Sequence, residues 1–353
     1  MTNIEQIQTE LERRDLDALL LFSDPNTRWA SGFAFTDGAV AVTRSGAVLL
    51  TDSRYIEAAR AGARTLDVQL FDAEHPLTAQ LKAFLGGFER IGAEAESLPQ
   101  ARWERLGKAL GRDLRPADDI LTALRAVKSP EEIEAIIAAQ RIAERAFSEL
   151  LDFIRPGITE RELAAELTYR MMLLGGEGNS FDPITITGAN TSKPHGVPGD
   201  AAVAPGDFVT LDFGTIVNGY RSDMTRTVAV GFATDGMRRV YDTVRKAQAA
   251  GIALMDAAHT GAEVHNAAAR VIADAGYGAY FGHGFGHGVG LEIHEGPSAS
   301  PRNDRPLPVG AVVTAEPGIY LPGKFGVRIE DMIAVTDEGP VDLTEAPKEL
   351  LIL

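Results

Sequence analysis

The stretch Pro205-Gly206-Asp207-Phe208-Val209-Thr210-Leu211-Asp212-Phe213-Gly214 recurs further along as Val309-Gly310-Ala311-Val312-Val313-Thr314-Ala315-Glu316-Pro317-Gly318. Gly, Val, Thr, a carboxylate and Gly repeat in register. Each copy is followed by a Gly-containing turn and an Arg-x-carboxylate step, Arg221-Ser222-Asp223 in one and Arg328-Ile329-Glu330 in the other. Four acids therefore come as two pairs inside a duplicated unit.

Phe208 to Leu211 and Val312 to Ala315 are short β-branched and apolar runs, which predict buried strands ending at an acid. Asn218-Gly219 marks a tight turn, and Pro322-Gly323 with Gly326 a looser one, so each acidic strand should fold back as a hairpin. Period-two alternation predicts that Arg221 and Asp223, and likewise Arg328 and Glu330, share strand faces. For either hairpin alone, the plainer account is that each acid pairs with its nearby Arg on a sheet rim. The in-register duplication favours convergence instead. Four carboxylates converging in an apolar sheet must protonate or hold cations, and two divalent ions would balance their charge.

Between the hairpins lies Gly282-His283-Gly284-Phe285-Gly286-His287-Gly288-Val289-Gly290-Leu291-Glu292-Ile293-His294-Glu295-Gly296-Pro297, which holds three of the seven histidines. Its alternating glycines do not give G-x-G-x-x-G, so it is no dinucleotide fingerprint. His283 and His287 have the spacing of a helical zinc motif, but Gly284 replaces the Glu of H-E-x-x-H and the interleaved glycines oppose a helix. An extended segment with a bulge or bend is expected, because a continuous strand would not aim all three histidines one way. His287, between the acidic hairpins, is the expected metal ligand. His195, in the turn-rich run Asn190-Thr191-Ser192-Lys193-Pro194-His195-Gly196-Val197-Pro198, reads as a loop residue of the kind that contacts substrate. His75, His259 and His265 read as surface positions.

The chain has 353 residues, 45% of them hydrophobic, which suggests two domains with substantial cores. No run of 18 apolar residues occurs, and the start Met1-Thr2-Asn3-Ile4-Glu5 lacks a basic-then-apolar leader, so a cytoplasmic protein without a membrane partner is expected. Without cysteine, any metal must be held by oxygen and nitrogen, which favours harder divalent ions. A net charge of −16 argues against nucleic acid as a partner.

The strongest domain boundary falls near Ala126 to Ser129, dividing residues 1–126 from 127–353. Ser129-Pro130-Glu131-Glu132 has a capping Ser, a Pro at the first helical position and a Glu at the third, followed by Ile133, Ile136 and Ile137 at helical spacing. Upstream, Ala18 to Phe22, Ala39 to Thr43 and Ala47 to Thr51 predict strands, with helices over Ile4 to Arg14 and Ala79 to Phe88, giving an α/β domain. Downstream, Pro156-Gly157-Ile158-Thr159-Glu160-Arg161-Glu162-Leu163-Ala164 is weakly echoed by Ala258-His259-Thr260-Gly261-Ala262-Glu263-Val264-His265, each leading into a helical stretch and then strands. Two α+β halves related by a pseudo-twofold are expected.

Thr210-Leu211-Asp212-Phe213-Gly214, Gly219-Tyr220-Arg221-Ser222-Asp223-Met224-Thr225-Arg226-Thr227, Gly286-His287-Gly288-Val289-Gly290-Leu291-Glu292-Ile293-His294-Glu295, Glu316-Pro317-Gly318-Ile319-Tyr320 and Arg328-Ile329-Glu330-Asp331 together resemble the pita-bread metallopeptidases in order and spacing. Upstream, Asn26-Thr27-Arg28-Trp29-Ala30-Ser31-Gly32-Phe33 and Thr51-Asp52-Ser53-Arg54-Tyr55 are similar to the creatinase-type N-terminal domain of the Xaa-Pro branch of that family.

The resemblance implies an α+β pita-bread catalytic domain behind an α/β creatinase-like domain, and an Xaa-Pro aminopeptidase, with Xaa-Pro dipeptidase (prolidase) as the alternative. A metal-free creatinase and a binding module without catalysis are the remoter ones. It makes Asp212, Asp223, His287, Glu316 and Glu330 the ligands of two divalent ions, with Asp223 and Glu330 bridging; manganese is favoured, with cobalt, zinc or iron as alternatives. His195, His283 and His294 are implied to line the substrate site, with Arg328 and Tyr320 in the surrounding polar shell. Glu316 is the expected proton acceptor, while His294 and His195 orient the peptide. Arg221 stands where many members have a small residue or Cys. Peptides with proline at the second position are the implied substrates and a homodimer the implied assembly, with Arg28, Trp29 and Arg54 as candidates to shape the far end of the substrate site.

Overall fold

The computed structural model describes residues 1–63 and 66–353, which divide into compact units Met1–Arg125 and Ala126–Leu353. In the first unit, the alternation of apolar strands with amphipathic helices yields a mixed six-stranded sheet. Its order is Asp67–Leu70, Gly46–Thr51, Ala39–Thr43, Ala18–Leu21, Ile91–Ala93 and Arg115–Pro116. The central strands Ala18–Leu21 and Ala39–Thr43 are buried at every position, as a sheet covered on both faces requires. The first helix runs Asn3–Arg13, closed at its start by a reciprocal Thr2–Glu5 capping box. Trp29 is a core residue at 4% exposure, and Arg54 is engaged with Asp52 and Asp37. Trp29 is thus packed within its own unit, whereas the Arg54 side chain stays 58% exposed.

The second unit opens with the helix Pro130–Leu151, whose Ser129 and Glu132 cap one another. The repeated helical starts become matching structures: Thr159 and Glu162 cap Glu160–Leu173, and Thr260 and Glu263 cap Gly261–Asp274, each with both reciprocal hydrogen bonds. Each helix pair backs a sheet. One sheet is Met224–Ala229, Phe208–Phe213 and Ile184–Thr187; the other is Glu295–Ala299, Gly286–Gly288, Val312–Ala315, Asp331–Thr336 and Gly339–Asp342.

Both acidic strands fold back as expected. Phe208–Phe213 pairs antiparallel with Met224–Ala229, and Val312–Ala315 with Asp331–Thr336. The short ribbon between the first pair turns at Asn218 and Gly219, both at positive φ (50° and 80°), a region that Gly, Asn and Asp tolerate best. The matching ribbon in the other half is Gly318–Leu321 with Phe325–Arg328. An antiparallel bridge between Thr225 and Glu330 joins the two halves.

The strand that carries Asp212 has Phe208, Val209, Leu211 and Phe213 all at 0% exposure. At about 1.5–3 kcal/mol for each fully buried apolar side chain, the four contribute roughly 6–12 kcal/mol. That exceeds the several kcal/mol that desolvating one carboxylate costs, so packing can hold the acid in place.

Candidate metal centre and its cavity

Strand register brings the acids of both halves to one cavity of roughly 510 Å³, lined among others by Asp212, Asp223, His283, His287, His294, Glu316, Arg328, Glu330 and His195. Asp212 lies within its strand, whereas Asp223, Glu316 and Glu330 sit in the breaks flanking Met224–Ala229, Gly318–Leu321 and Asp331–Thr336. His287 lies on the short strand Gly286–Gly288, whose register shifts between His287 and Gly288. This is the bulge that the histidine spacing called for. The flanking glycines have a steric reason: a Cβ at Gly286 would stand 1.8 Å from the Thr314 carbonyl oxygen, and one at Gly288 2.5 Å from that of Gly296.

Donor atoms of Asp223, His287 and Glu330 all lie within 4.8 Å of one another. His287 Nε2 is 3.6 Å from Asp223 Oδ2 and 3.4 Å from Glu316 Oε1. Asp212 is paired with Arg328, the arginine of the opposite hairpin, so the local Arg–acid pairing does not occur within either repeat. Asp212 Oδ1 and Asp223 Oδ1 are buried without a hydrogen-bond partner among the described residues.

Burial, reinforced by the neighbouring carboxylates, pushes Asp223 and Glu330 well above the usual carboxylate range, and burial also raises Glu316. Burial pushes His283, His287 and His294 down toward the neutral imidazole that can act as a ligand or base. Orphaned carboxylate oxygens, repelling buried acids and a neutral imidazole converge here, with Arg328 as the one neighbouring cation lining the cavity among the described residues. This all-oxygen set with one nitrogen fits a hard divalent ion.

Hydrogen bonds fix the orientation of these groups. Thr225 Oγ1 donates to Glu330 Oε2 at 2.6 Å and accepts from Arg328 Nε at 3.0 Å. Thr314 Oγ1 donates to Glu316 Oε1 at 3.2 Å and accepts from the His287 amide at 3.0 Å. Arg328 Nη1 donates to Tyr320 Oη at 2.8 Å, which leaves the phenol to donate to His283 Nε2 at 2.9 Å, while His283 Nδ1 faces the Gly284 carbonyl at 2.8 Å. Tyr320 thus sits behind the cavity wall and acts on it through His283. The His287 and His294 rings meet edge to face, 4.3 Å between centroids.

Arg221 departs from the expected shared face with Asp223. The chain leaves its ribbon after Arg221, and the guanidinium turns away from the cavity, donating to the carbonyls of Leu291 and Ser180. His265 is half-buried and stacked on Phe281, and His259 is part-buried on Asp256, so only His75 is a plain surface histidine. The sequence reading missed Thr225, Thr314 and the apolar wall of Phe181, Ile184 and Ile293. For Thr314 a signal was present, since Thr recurs two residues before the acid in both repeats; the wall has no such mark.

Residues 134–337 match the model of metallopeptidase family M24, and residues 3–127 match the creatinase/prolidase N-terminal domain. The chain belongs to metallopeptidase family M24 and is a metallopeptidase. It is 34% identical to the Xaa-Pro dipeptidase of Pyrococcus horikoshii, over 99% of this chain and 98% of that one. It is also similar to the solved structure of Xaa-Pro dipeptidase from Bacillus anthracis, with a TM-score of 0.95 at 38% identity, covering 99% of both chains. The X-Pro aminopeptidase structure from Thermotoga maritima matches with a TM-score of 0.92 at 36% identity, over 98% of this chain and 100% of that one. The similarity thus spans both units, with the pita-bread fold in the second.

Proposed function

We propose that the chain is an exopeptidase that hydrolyses the bond before a proline at the second position and releases the N-terminal residue, as an Xaa-Pro aminopeptidase. The observation that carries this reading is the convergence of Asp212, Asp223, His287, Glu316 and Glu330 on one cavity that also presents His195, His283 and His294. The five would hold two divalent ions, and manganese suits their oxygen-rich set. Bound divalent ions supply Lewis acidity, polarising the scissile carbonyl and acidifying water. Glu316 accepts the proton of the attacking water and passes it toward the leaving proline nitrogen. His294 and His195 orient the peptide and donate to the carbonyl oxygen as charge builds on it. Phe181, Ile184 and Ile293 give the substrate an apolar wall.

The dipeptidase reading is favoured by the names of the Pyrococcus and Bacillus relatives. Against it, Arg328 is the one Arg or Lys lining the cavity among the described residues, and Asp212, Tyr320 and Thr225 already engage it. No lining cation is left over to hold a dipeptide's terminal carboxylate. The same reading includes a cytoplasmic homodimer, which light scattering would check.

The test is hydrolysis of an Xaa-Pro dipeptide and an Xaa-Pro-Yaa-Yaa tetrapeptide, after chelation and again after manganese addition. Metal-restored cleavage of the tetrapeptide after its first residue supports the aminopeptidase. Cleavage of the dipeptide alone makes it a prolidase, and cleavage of neither removes the Xaa-Pro assignment.

A further inference from the structure

Glu160 is 1% exposed, an unusual setting for a carboxylate outside the metal centre. It begins the helix Glu160–Leu173, and its two oxygens hold both ends of one loop. Oε1 accepts from the Thr187 amide at 2.9 Å and from Asn190 Nδ2 at 2.8 Å, on the ascending side. Oε2 accepts from the Gly199 amide at 2.9 Å, on the descending side. The Gly199 carbonyl in turn accepts from the Arg161 amide at 3.0 Å. Between these anchors lie Pro194, His195, Gly196, Val197 and Pro198, all of which line the cavity.

The loop's middle is tied less directly. Thr191 Oγ1 receives the Gly326 amide at 2.8 Å, and the Pro194 carbonyl receives Arg328 Nη1 at 3.3 Å. Beyond Pro194 two side chains reach solvent, with His195 exposed and Val197 86% exposed, while Gly196 between them is buried. An exposed histidine can act on a substrate only if its backbone stays in place, and here the descending strand of the loop depends on the Glu160 helix start. Hydrogen bonds to an ionised carboxylate are stronger than neutral ones, so one buried acid can close the loop at its base.

We propose that Glu160 is the positioning residue for His195, fixing the 188–198 loop so that the imidazole meets the substrate carbonyl. The proposal rests on the peptidase reading for the part that His195 plays. Glu160 touches neither substrate nor ligands and acts only through the loop. The sequence marks Glu162 by its capping-box spacing from Thr159, but Glu160 only as another acid at the helix start. Glu162 caps Thr159 and has no hydrogen bond to the loop.

Glu160→Gln tests this, because the amide keeps the size but turns one acceptor into a donor facing another donor. Glu162→Gln serves as control, losing a negative charge from the same helical turn without touching the loop. Hydrogen–deuterium exchange of the 188–198 segment is read on metal-free protein, and kcat/KM on the metal-loaded enzyme with the Xaa-Pro tetrapeptide. A displacement near 1 Å of a reacting group can lower the rate about 100-fold. Glu160→Gln should therefore speed loop exchange and lower kcat/KM by about 10- to 100-fold, whereas Glu162→Gln should change neither.

The deciding readout is the double variant with His195→Ala. If Glu160 acts through His195, adding Glu160→Gln to that background lowers kcat/KM less than about 3-fold further. Independent, multiplying losses overturn the proposal, as does unchanged loop exchange. Should Glu160→Gln fail to fold, Asn190→Ala removes one leg of the clamp and is held to the same outcomes. A wild type that cleaves neither peptide, together with loop exchange that responds to Glu160→Gln, refutes the Xaa-Pro reading while upholding the clamp.

Discussion

Replacing Arg226, which does not itself line the cavity, with Met should destabilise the second unit severely. Arg226 is 2% exposed and Asp331 0%. All five guanidinium donors are used: Nε to the Pro347 carbonyl at 2.9 Å, Nη1 to those of Thr225 at 2.9 Å and Glu330 at 2.7 Å, and Nη2 to the Ala346 carbonyl and Asp331 Oδ1, each at 2.7 Å. Methionine preserves the aliphatic bulk but leaves Asp331 Oδ1 without its cation. Removing one partner of a buried pair costs about 3–5 kcal/mol. Lys348 Nζ at 2.5 Å and Gln248 Nε2 at 2.7 Å still serve Asp331 Oδ2, which places the loss near the lower end, at about 3 kcal/mol. At about 2–4 °C per kcal/mol for a unit of this size, Tm should fall by about 6–12 °C. The assay is thermal unfolding followed by circular dichroism, on the single variant and on Arg226→Met with Asp331→Asn. The double variant should recover part of the loss, because it removes the uncompensated charge. A fall below about 2 °C, or strictly additive losses, would refute the reasoning.

Adding manganese to chelated protein should raise Tm, reaching about 2.7 kcal/mol of stabilisation at a hundredfold excess over Kd; a flat manganese titration by scanning fluorimetry would count against the ligand set. Glu316→Gln should lower kcat by roughly 10²–10⁴-fold, checked against the tetrapeptide at saturating manganese. Asp223→Asn should raise Tm of the metal-free protein while abolishing the manganese-induced rise, since it removes a charge that is 3% exposed and repelled by Asp212 and Glu316. In the first unit, the Arg90 guanidinium beside Asp17 holds its carboxyl well below the usual range. A depressed carboxylate contributes stability above the unfolded pKa near 3.9, lost as pH falls toward the folded value. Asp17→Asn should therefore lower stability at pH 7, and the gap to wild type should close below about pH 4 in acid titrations.

The duplicated Gly-Val-Thr-acid pattern was legible because strand periodicity and turn chemistry are local: Asn218-Gly219 dictates its turn, and Ser129-Pro130-Glu131-Glu132 its helix start. The need for a bend after His287 followed from parity alone. What escaped was set by long-range packing. Arg221 and Arg328 occupy equivalent places in the repeat, yet the first reaches the carbonyls of Leu291 and Ser180 and the second reaches Asp212 across the pseudo-axis. No spacing rule separates them, because the difference lies in which segment of the other half packs beside each one. Glu160 escaped for the same reason, its partners lying up to 39 residues away.

The crossing of Arg328 to Asp212 changes the charge balance that the sequence suggested. Four carboxylates matched by two divalent ions would be neutral, but Arg328 is itself 4% exposed and charged beside them. With every acid ionised, the set would then be three negative rather than four, and two divalent ions would leave it one positive; burial, which raises Asp223, Glu316 and Glu330, lowers the negative charge further when no ion is held. Without ions, the repulsion among Asp223, Glu316 and Glu330 opposes folding and is carried by two separate apolar cores, one built around Phe147, Phe213 and Leu163, the other around Phe285, Val313 and Ile333. Two divalent ions, if held by these residues, would supply Lewis acidity to a site that Arg328 already makes less negative. A site tuned for stability would have placed a second arginine against Asp223. Among the described residues none stands there, and Asp223 Oδ1 is left without a hydrogen-bond partner while Thr225 and Thr314 donate only to Glu330 and Glu316, which is what a site that trades stability for cation binding requires.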